Sequence, residues 1–345
     1  MKNKVLLILL ALVFVLSLSA CGSKGDEKVV NIYNWGEYID EDLIKKFETE
    51  TGIKVNYDMF VTNEDLYVKL KNSNEAYDLL IPSDYMIEKM IKEDMLQKID
   101  FNNIPNYKNI AAEFKGKEYD PKDEYSVPYF WGTLGLIYNT DNIKENIDSW
   151  NSLWDEKYKD KIIMMDSSRD AIGVALIKLG YDLNSENEAE LEAAKKELIK
   201  QKELVRAYQY DETKSIMVNG EADLAVIYSG DAALAITEAP NLKYVVPKEG
   251  SNIFIDAMVI PKNAENKENA EAFINFMLNV DNAAQNAAIG YSTPVTGAKE
   301  LLEDEMKNNE AAYPDLTKLG KLSTFRDPGE KVKVYDDIWQ AIIAE

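Results

Sequence analysis

Five consecutive residues, Asn34-Trp35-Gly36-Glu37-Tyr38, place an indole, a carboxylate and a phenol around one glycine. An indole beside a carboxylate suits an organic cation, with a π face for its apolar body and a counter-charge for its head. The plainer alternative has Trp35 and Tyr38 packed in a core and Glu37 solvated. Polar and aromatic groups also recur wherever an apolar run stops. Ser83-Asp84-Tyr85 follows Leu79-Leu80-Ile81-Pro82, Asp166-Ser167-Ser168-Arg169-Asp170 follows Ile162 to Met165, and Ser229-Gly230-Asp231 follows the run ending at Tyr228. Helix capping explains Asp166 or Ser167; Asp170, further into the turn, is explained less easily that way. Asp256 stands alone in the apolar run Ile253 to Pro261 and needs compensation, from a lysine or arginine or, as the other cleft candidates favour, from a ligand.

The elements that must position these groups read as an α/β chain. Val29, Val30 and Ile32 open a strand, and Asp40 caps a helix that carries Leu43, Ile44 and Phe47 inward and stops at Gly52. Ile53 to Tyr57 is a strand, Asn63 to Lys71 a helix, and Tyr77 to Pro82 a buried strand. This β-α-β-α-β order predicts a largely parallel sheet with helices on both faces. Ligands bind such sheets beyond the carboxyl ends of the strands, which brings Trp35 and Ser83 to one edge. Val127 to Trp131 and Leu134 to Tyr138 read as a pair of strands crossing to a second domain, and Ile253 to Pro261 as the return. Glu188 to Val205 reads as one charged amphipathic helix, and residues 296–345 as mostly helical with a break at Arg326 to Lys333.

Composition removes whole classes of chemistry. The chain has no histidine and one cysteine, Cys21, so Ser-His-Asp and Cys-His catalysis, histidine zinc sites and internal disulfides are all excluded. No phosphate-binding glycine loop or calcium loop is present, and no cofactor or metal is expected. Lys2 and Lys4 precede an apolar run from Val5 to Leu18 that is too short for a good spanning helix. Leu18-Ser19-Ala20-Cys21 resembles the lipobox of a bacterial lipoprotein signal, which implies cleavage before Cys21 and a lipid on its sulfur. Residues 21–28 then form a polar tether. Loss of Lys2 and Lys4 leaves 37 basic residues against 61 acidic ones, a net charge of −24. That surface repels nucleic acid and anionic headgroups and gathers cations.

The segments Ile32-Tyr33-Asn34-Trp35-x-Glu37-Tyr38, Tyr77-Asp78 through Pro82-Ser83, Tyr129-x-Trp131-Gly132, Pro247-Lys248-Glu249-Gly250, Asp256 through Ile260-Pro261 and Ile289-Gly290-Tyr291-x-Thr293-Pro294 are together similar to the spermidine/putrescine-binding proteins of bacterial polyamine ABC transporters. The resemblance runs from Val29 to the C-terminus and is weakest at the end. It implies a periplasmic-binding-protein fold of two α/β lobes joined by crossing strands, residues 29–132 with 255–301 and residues 133–254 with 302–345. It implies hinge closure on a polyamine, delivery to a membrane permease, and a monomer held at the outer face of the membrane. Position by position, it implies Trp35, Tyr38, Tyr85, Tyr228, Phe254 and Tyr291 as aromatic walls, Glu37, Asp170, Asp231 and Asp256 as ammonium partners, and Ser83 as a polar contact. Tyr228 and Phe254 stand where members usually carry tryptophan, and Phe325-Arg326-Asp327 where some contribute a glutamine. Both putrescine and spermidine stay open. Without histidine, binding is expected to be flat between about pH 6 and 8 unless a cleft carboxylate is strongly shifted. The rivals are another solute in the same fold, a glycosidase using two carboxylates such as Glu37 and Asp256, and an adhesive surface protein.

Overall fold

The computed structural model describes residues 28–73 and 75–344; the leader and Cys21 lie outside the described residues. The chain opens with β1 (Val29–Trp35), α1 (Glu41–Thr51), β2 (Lys54–Phe60), α2 (Asn63–Asn72), β3 (Leu79–Leu80) and α3 (Asp84–Lys92). The Asp40 side chain accepts the Asp42 N–H at 2.9 Å to start α1, and Gly52, at φ 68°, ends it in a conformation that glycine adopts without strain. β1 pairs in parallel with β2 on one side and β3 on the other.

β4 (Ser126–Asn139) is one continuous, wholly buried strand, where the sequence reads as two. Gly132 and Gly135 suggest a turn, but their role is close packing. A Cβ on Gly132 would lie 2.5 Å from the Phe254 ring, and one on Gly135 would lie 2.5 Å from the Tyr244 ring. Next come β5 (Ile162–Met165), α4 (Ser168–Lys178), α5 (Glu188–Lys202), β6 (Val205–Gln209), α6 (Glu212–Val218), β7 (Leu224–Tyr228), α7 (Ser229–Glu238), β8 (Leu242–Val245) and β9 (Ser251–Val259). α5 is shorter than the sequence suggests. Val205 belongs to β6, whose β-branched and aromatic residues fit a strand paired in parallel with β5.

The strand order is β2-β1-β3-β9-β4-β7-β5-β6, with β8 also on β4. β9 is antiparallel to β3 and β4, and β4 is antiparallel to β7 and β8, so the sheet is mixed rather than largely parallel. Along β4, residues 126–133 pair with β9 and residues 134–139 with β7 and β8. Each half therefore repeats one plan, β2-β1-β3-β9-β4 and β6-β5-β7-β4-β8, in which the fourth strand crosses over from the other half. Two main cores match these halves. One joins Val30 through Trp131 to Ile253 through Leu302, and the other runs from Leu134 to Ile342. These are the two lobes.

After β9 come α8 (Lys267–Met277), α9 (Val280–Ala287), α10 (Asp304–Lys307), β10 (Leu322–Ser323) and α11 (Val332–Ala344). The stretch from residue 296 is helical in pieces, with single 3-10 turns at Lys299–Leu301, Leu316–Lys318 and Gly329–Lys331 beside α10 and α11 and irregular chain between them, and α11 already starts inside the break expected at Arg326 to Lys333. Gly297, Pro314, Gly320, Pro328 and Gly329 interrupt it, and β10 joins the start of β9. Among the described residues no helix is long and apolar enough to cross a membrane.

Candidate functional site

Phe254 and Asp256 are alternate residues of β9 and share one face of that strand. Asp256 is 5% exposed, and its Oδ2 accepts a 2.6 Å hydrogen bond from the Tyr38 hydroxyl. Its Oδ1 is buried without a partner. Ser83 bridges to it through the backbone. Burial pushes the Asp256 carboxyl up to about 6, against the pull of the Ser83 and Tyr38 hydroxyls. The compensation therefore comes from hydroxyls, the Tyr38 phenol bonded to Oδ2 and the Ser83 hydroxyl close to the carboxylate; no lysine or arginine among the described residues pairs with it. The Tyr38 ring meets Phe130 edge-on at 5.0 Å and Tyr291 at 4.5 Å.

Asp170 is built the same way on the other lobe. Ser167 caps α4 by accepting the Asp170 N–H at 3.3 Å, and its hydroxyl donates to Asp170 Oδ2 at 2.6 Å. The Tyr228 hydroxyl donates to the same oxygen at 3.0 Å, while Oδ1 is buried without a partner. Burial raises the Asp170 carboxyl above its ordinary range, and the hydrogen bonds from Ser167 and Tyr228 only partly oppose this. The Tyr228 ring meets Phe254 edge-on at 5.3 Å, which joins the two acidic positions through an aromatic contact. Buried acceptors without donors are rare. Here two occur in one network, each on a carboxylate whose other oxygen is satisfied.

Asp231 lies in the first turn of α7, and burial, reinforced by the charge of Asp211, pushes its carboxyl up to about 6. Tyr291 packs against the same turn, where a Cβ on Gly230 would approach its ring within 2.9 Å. Glu37 is exposed, in a left-handed conformation at φ 51°. The Tyr85 hydroxyl donates to Glu64 and accepts from Asn63, both at 3.1 Å, and its ring packs against both cores. The Trp35 ring lies 4.5 Å from Phe60, with its Nε1 buried and unpartnered. Tyr38, Ser83, Asp170, Tyr228, Phe254, Asp256 and Tyr291 thus form one connected set. Asp231 follows Gly230 beside it, and Tyr85, Trp35 and Glu37 flank it.

Three further residues belong to this surround and were not picked out from the sequence. Phe130 carries Tyr38 and Tyr291. Asn63 holds the Ser83 N–H with its Oδ1 and the Ser83 hydroxyl with its Nδ2, both at 3.1 Å. Tyr210, just past β6, lies 6.2 Å from the Tyr228 ring. Reading Val205 as helical hides the strand end that presents Tyr210; the β-branched Val205 and the aromatic Tyr208 ahead of it are the available signal. Among the described residues no cluster of acids, cysteines or histidines is arranged to hold a metal ion.

A family model described as bacterial extracellular solute-binding protein matches residues 42–314. The chain is 38% identical over 340 residues to the spermidine/putrescine-binding periplasmic protein of Salmonella typhimurium, covering 98% of this chain and 97% of that one. It is 34% identical to the putrescine-binding periplasmic protein SpuD of Pseudomonas aeruginosa, with 97% of each chain covered. Among solved structures, the spermidine/putrescine ABC transporter substrate-binding protein PotD of Streptococcus pneumoniae superposes with a TM-score of 0.83 at 41% identity, covering 92% of this chain and 99% of that one. The TpPotD lipoprotein of Treponema pallidum does so with a TM-score of 0.82 at 29% identity, covering 91% and 99%. With its two-lobed architecture and matches along nearly its whole length, the chain belongs to the bacterial extracellular solute-binding proteins, in the spermidine/putrescine-binding group.

Proposed function

We propose that this protein captures a polyamine, putrescine or spermidine, between its lobes and hands it to the permease of an ABC importer. One observation carries the reading: Asp170 and Asp256 are buried carboxylates, each with one oxygen held by protein hydroxyls and the other without a donor. An ammonium group supplies the missing donor and the missing positive charge together. A neutral sugar supplies only the first, and four acids around a neutral ligand would be poorly compensated. The tetramethylene body that separates two ammonium groups gains about 0.8 kcal/mol per buried CH₂, and aromatic faces stand between the acids.

In this reading Asp170, Asp256, Asp231 and Glu37 pair with the ammonium groups. Tyr38, Tyr228, Phe254 and Tyr291, with Trp35 and Tyr85, wall the methylene chain, and Ser83 steadies Asp256. The lobes comprise residues 29–132 with 255–301 and 133–254 with 302–345, and they hinge where β4 passes from β9 to β7. The ligand is returned unchanged, so no catalysis is involved. The protein acts as a monomer anchored outside the cytoplasmic membrane through a lipid on Cys21, which mass spectrometry of the mature N-terminus checks. The Treponema pallidum relative is likewise named as a lipoprotein.

The test is a pair of conservative variants, Asp170→Asn and Asp256→Asn, measured by equilibrium dialysis with labelled putrescine and spermidine. Removing one partner of a desolvated charge pair costs about 2–5 kcal/mol, so each variant should lose roughly thirtyfold or more in affinity while keeping its fold. Unchanged affinity in both would remove the assignment.

A further inference from the structure

The segment after β10 is fixed to the second lobe and reaches across to the first. Asn184 donates to the Thr324 carbonyl and accepts the Arg326 N–H, both at 2.9 Å. Phe325 lies in the second core. Arg169, the neighbour of Asp170 on α4, donates to the Arg326 carbonyl at 3.3 Å and stacks over Phe325 at 4.8 Å and Tyr335 at 4.7 Å. From this backbone the Arg326 guanidinium meets α3 of the first lobe. Its Nη2 and Nε donate to the two carboxylate oxygens of Glu88 at 2.6 and 2.9 Å, and its Nη1 donates to Glu118 at 2.7 Å. The Asp327 N–H adds a 2.9 Å bond to Glu88, and Lys92 lies 3.1 Å from Glu88 and 3.2 Å from Asp327. The Glu88 side chain is only 8% exposed. Burial alone would raise its carboxyl, yet Arg326, the Asp327 N–H and Lys92 hold it below its ordinary value.

We propose that Arg326 and Glu88 form an inter-lobe clasp that sets how tightly the closed cleft retains its ligand, acting as positioning residues that do not touch it. This rests on the reading that the ligand is bound between the lobes. The Arg326 guanidinium and the Asp327 N–H stand on one lobe and Glu88 and Glu118 on the other, so opening the cleft has to break those bonds, together with the Lys92–Asp327 pair, while Lys92–Glu88 stays within α3. A two-point Arg–carboxylate fork holds orientation as well as distance, which a lysine cannot reproduce. A desolvated ion pair is favourable only when its remaining hydrogen-bonding capacity is met, and here one carboxylate receives Arg326, Asp327 N–H and Lys92 together. The clasp is also mounted on the binding elements. Arg169, next to Asp170, braces its backbone, and α3 begins directly after Ser83. Closing on a ligand and closing the clasp are thus one movement, and the clasp raises the closed population that the ligand selects.

The experiment uses the full mature chain with Arg326→Gln, Arg326→Lys, Glu88→Gln and the double variant Glu88→Gln/Arg326→Gln. Affinity and release rate are measured with putrescine and spermidine at low and high salt, and the ligand-free forms are compared by small-angle X-ray scattering. The expected result is about a tenfold loss of affinity in Arg326→Gln through faster release, with a smaller loss in Arg326→Lys. The double variant should be no weaker than the worse single one, and high salt should narrow the gap to the wild type. The ligand-free variants should scatter with a larger radius of gyration and keep a native circular dichroism spectrum. Wild-type affinity, release and radius in Arg326→Gln would overturn the proposal. Should Glu88→Gln fail to fold, the two Arg326 variants decide. Should the wild type bind neither amine, the proposed ligand fails, and the scattering comparison still decides the clasp.

Discussion

Asp170, Asp231 and Asp256 are acids that the ligand-free protein holds at a cost, and that cost makes binding depend on pH. Burial puts Asp231 and Asp256 at about 6 and raises Asp170 as well. An ammonium group pairs only with the ionised carboxylate, so affinity should be full above about pH 7. It should fall as the pH drops through about 6, by roughly tenfold per unit for each acid that must release a proton. This bends the lower end of the flat profile expected from the absence of histidine. Stability of the ligand-free protein should move the opposite way. The folded acids take up protons from about pH 6 downward, whereas the unfolded chain does so only near the ordinary aspartate value of about 4. In that window the native state holds more protons, so stability rises as pH falls toward about 5. Salt-bridged surface acids such as Glu145, held at about 2, oppose this only at lower pH. Binding titrations and thermal melts across about pH 5 to 8 check both signs. Asp256 was legible in the sequence because a carboxylate inside an apolar strand demands a partner. What the sequence could not give was the identity of that partner, Tyr38, which is 218 positions away.

β4 and β9 do at the scale of elements what no single residue does: they carry the chain between lobes and hold Phe254 and Asp256 at the boundary. Their packing depends on the missing side chain at Gly132, where a Cβ would meet the Phe254 ring at 2.5 Å and the Ser229 hydroxyl at 2.7 Å. Gly132→Ala should cost about 1–3 kcal/mol by overpacking. Because the displaced ring is Phe254, it should also weaken polyamine binding; thermal melting and titration of the variant check the two effects. The helices and strands of the first half were readable from caps and apolar period, as Asp40, Gly52 and the Leu43–Phe47 face show. The elements that were misread share a cause. The continuity of β4 and the strand character of Val205–Gln209 are decided by partners far along the chain, β9 for one and β5 for the other. Local pattern does not contain those partners.

As a whole molecule the protein is one architectural plan used twice, each half borrowing its fourth strand from the other. Two crossing strands leave the halves free to hinge, and the acids lie on both sides of that hinge, Asp170 on the second lobe and Asp256 on the return strand. The second domain and its crossing strands are legible in the apolar runs around Val127 to Tyr138 and Ile253 to Pro261, and the family resemblance adds the two-lobed fold; the doubled strand order is in neither, since no sequence repeat announces it and register alone reveals it. The central claim is that these halves close on a molecule with ammonium groups at a fixed spacing. The most direct test is isothermal titration of the mature domain, refolded to strip bound ligand, with putrescine, spermidine and butane-1,4-diol. Saturable binding of at least one amine, micromolar or tighter, is expected, with no heat from the diol beyond dilution. Equal binding of amine and diol, or no binding of either amine by a folded domain, would contradict it.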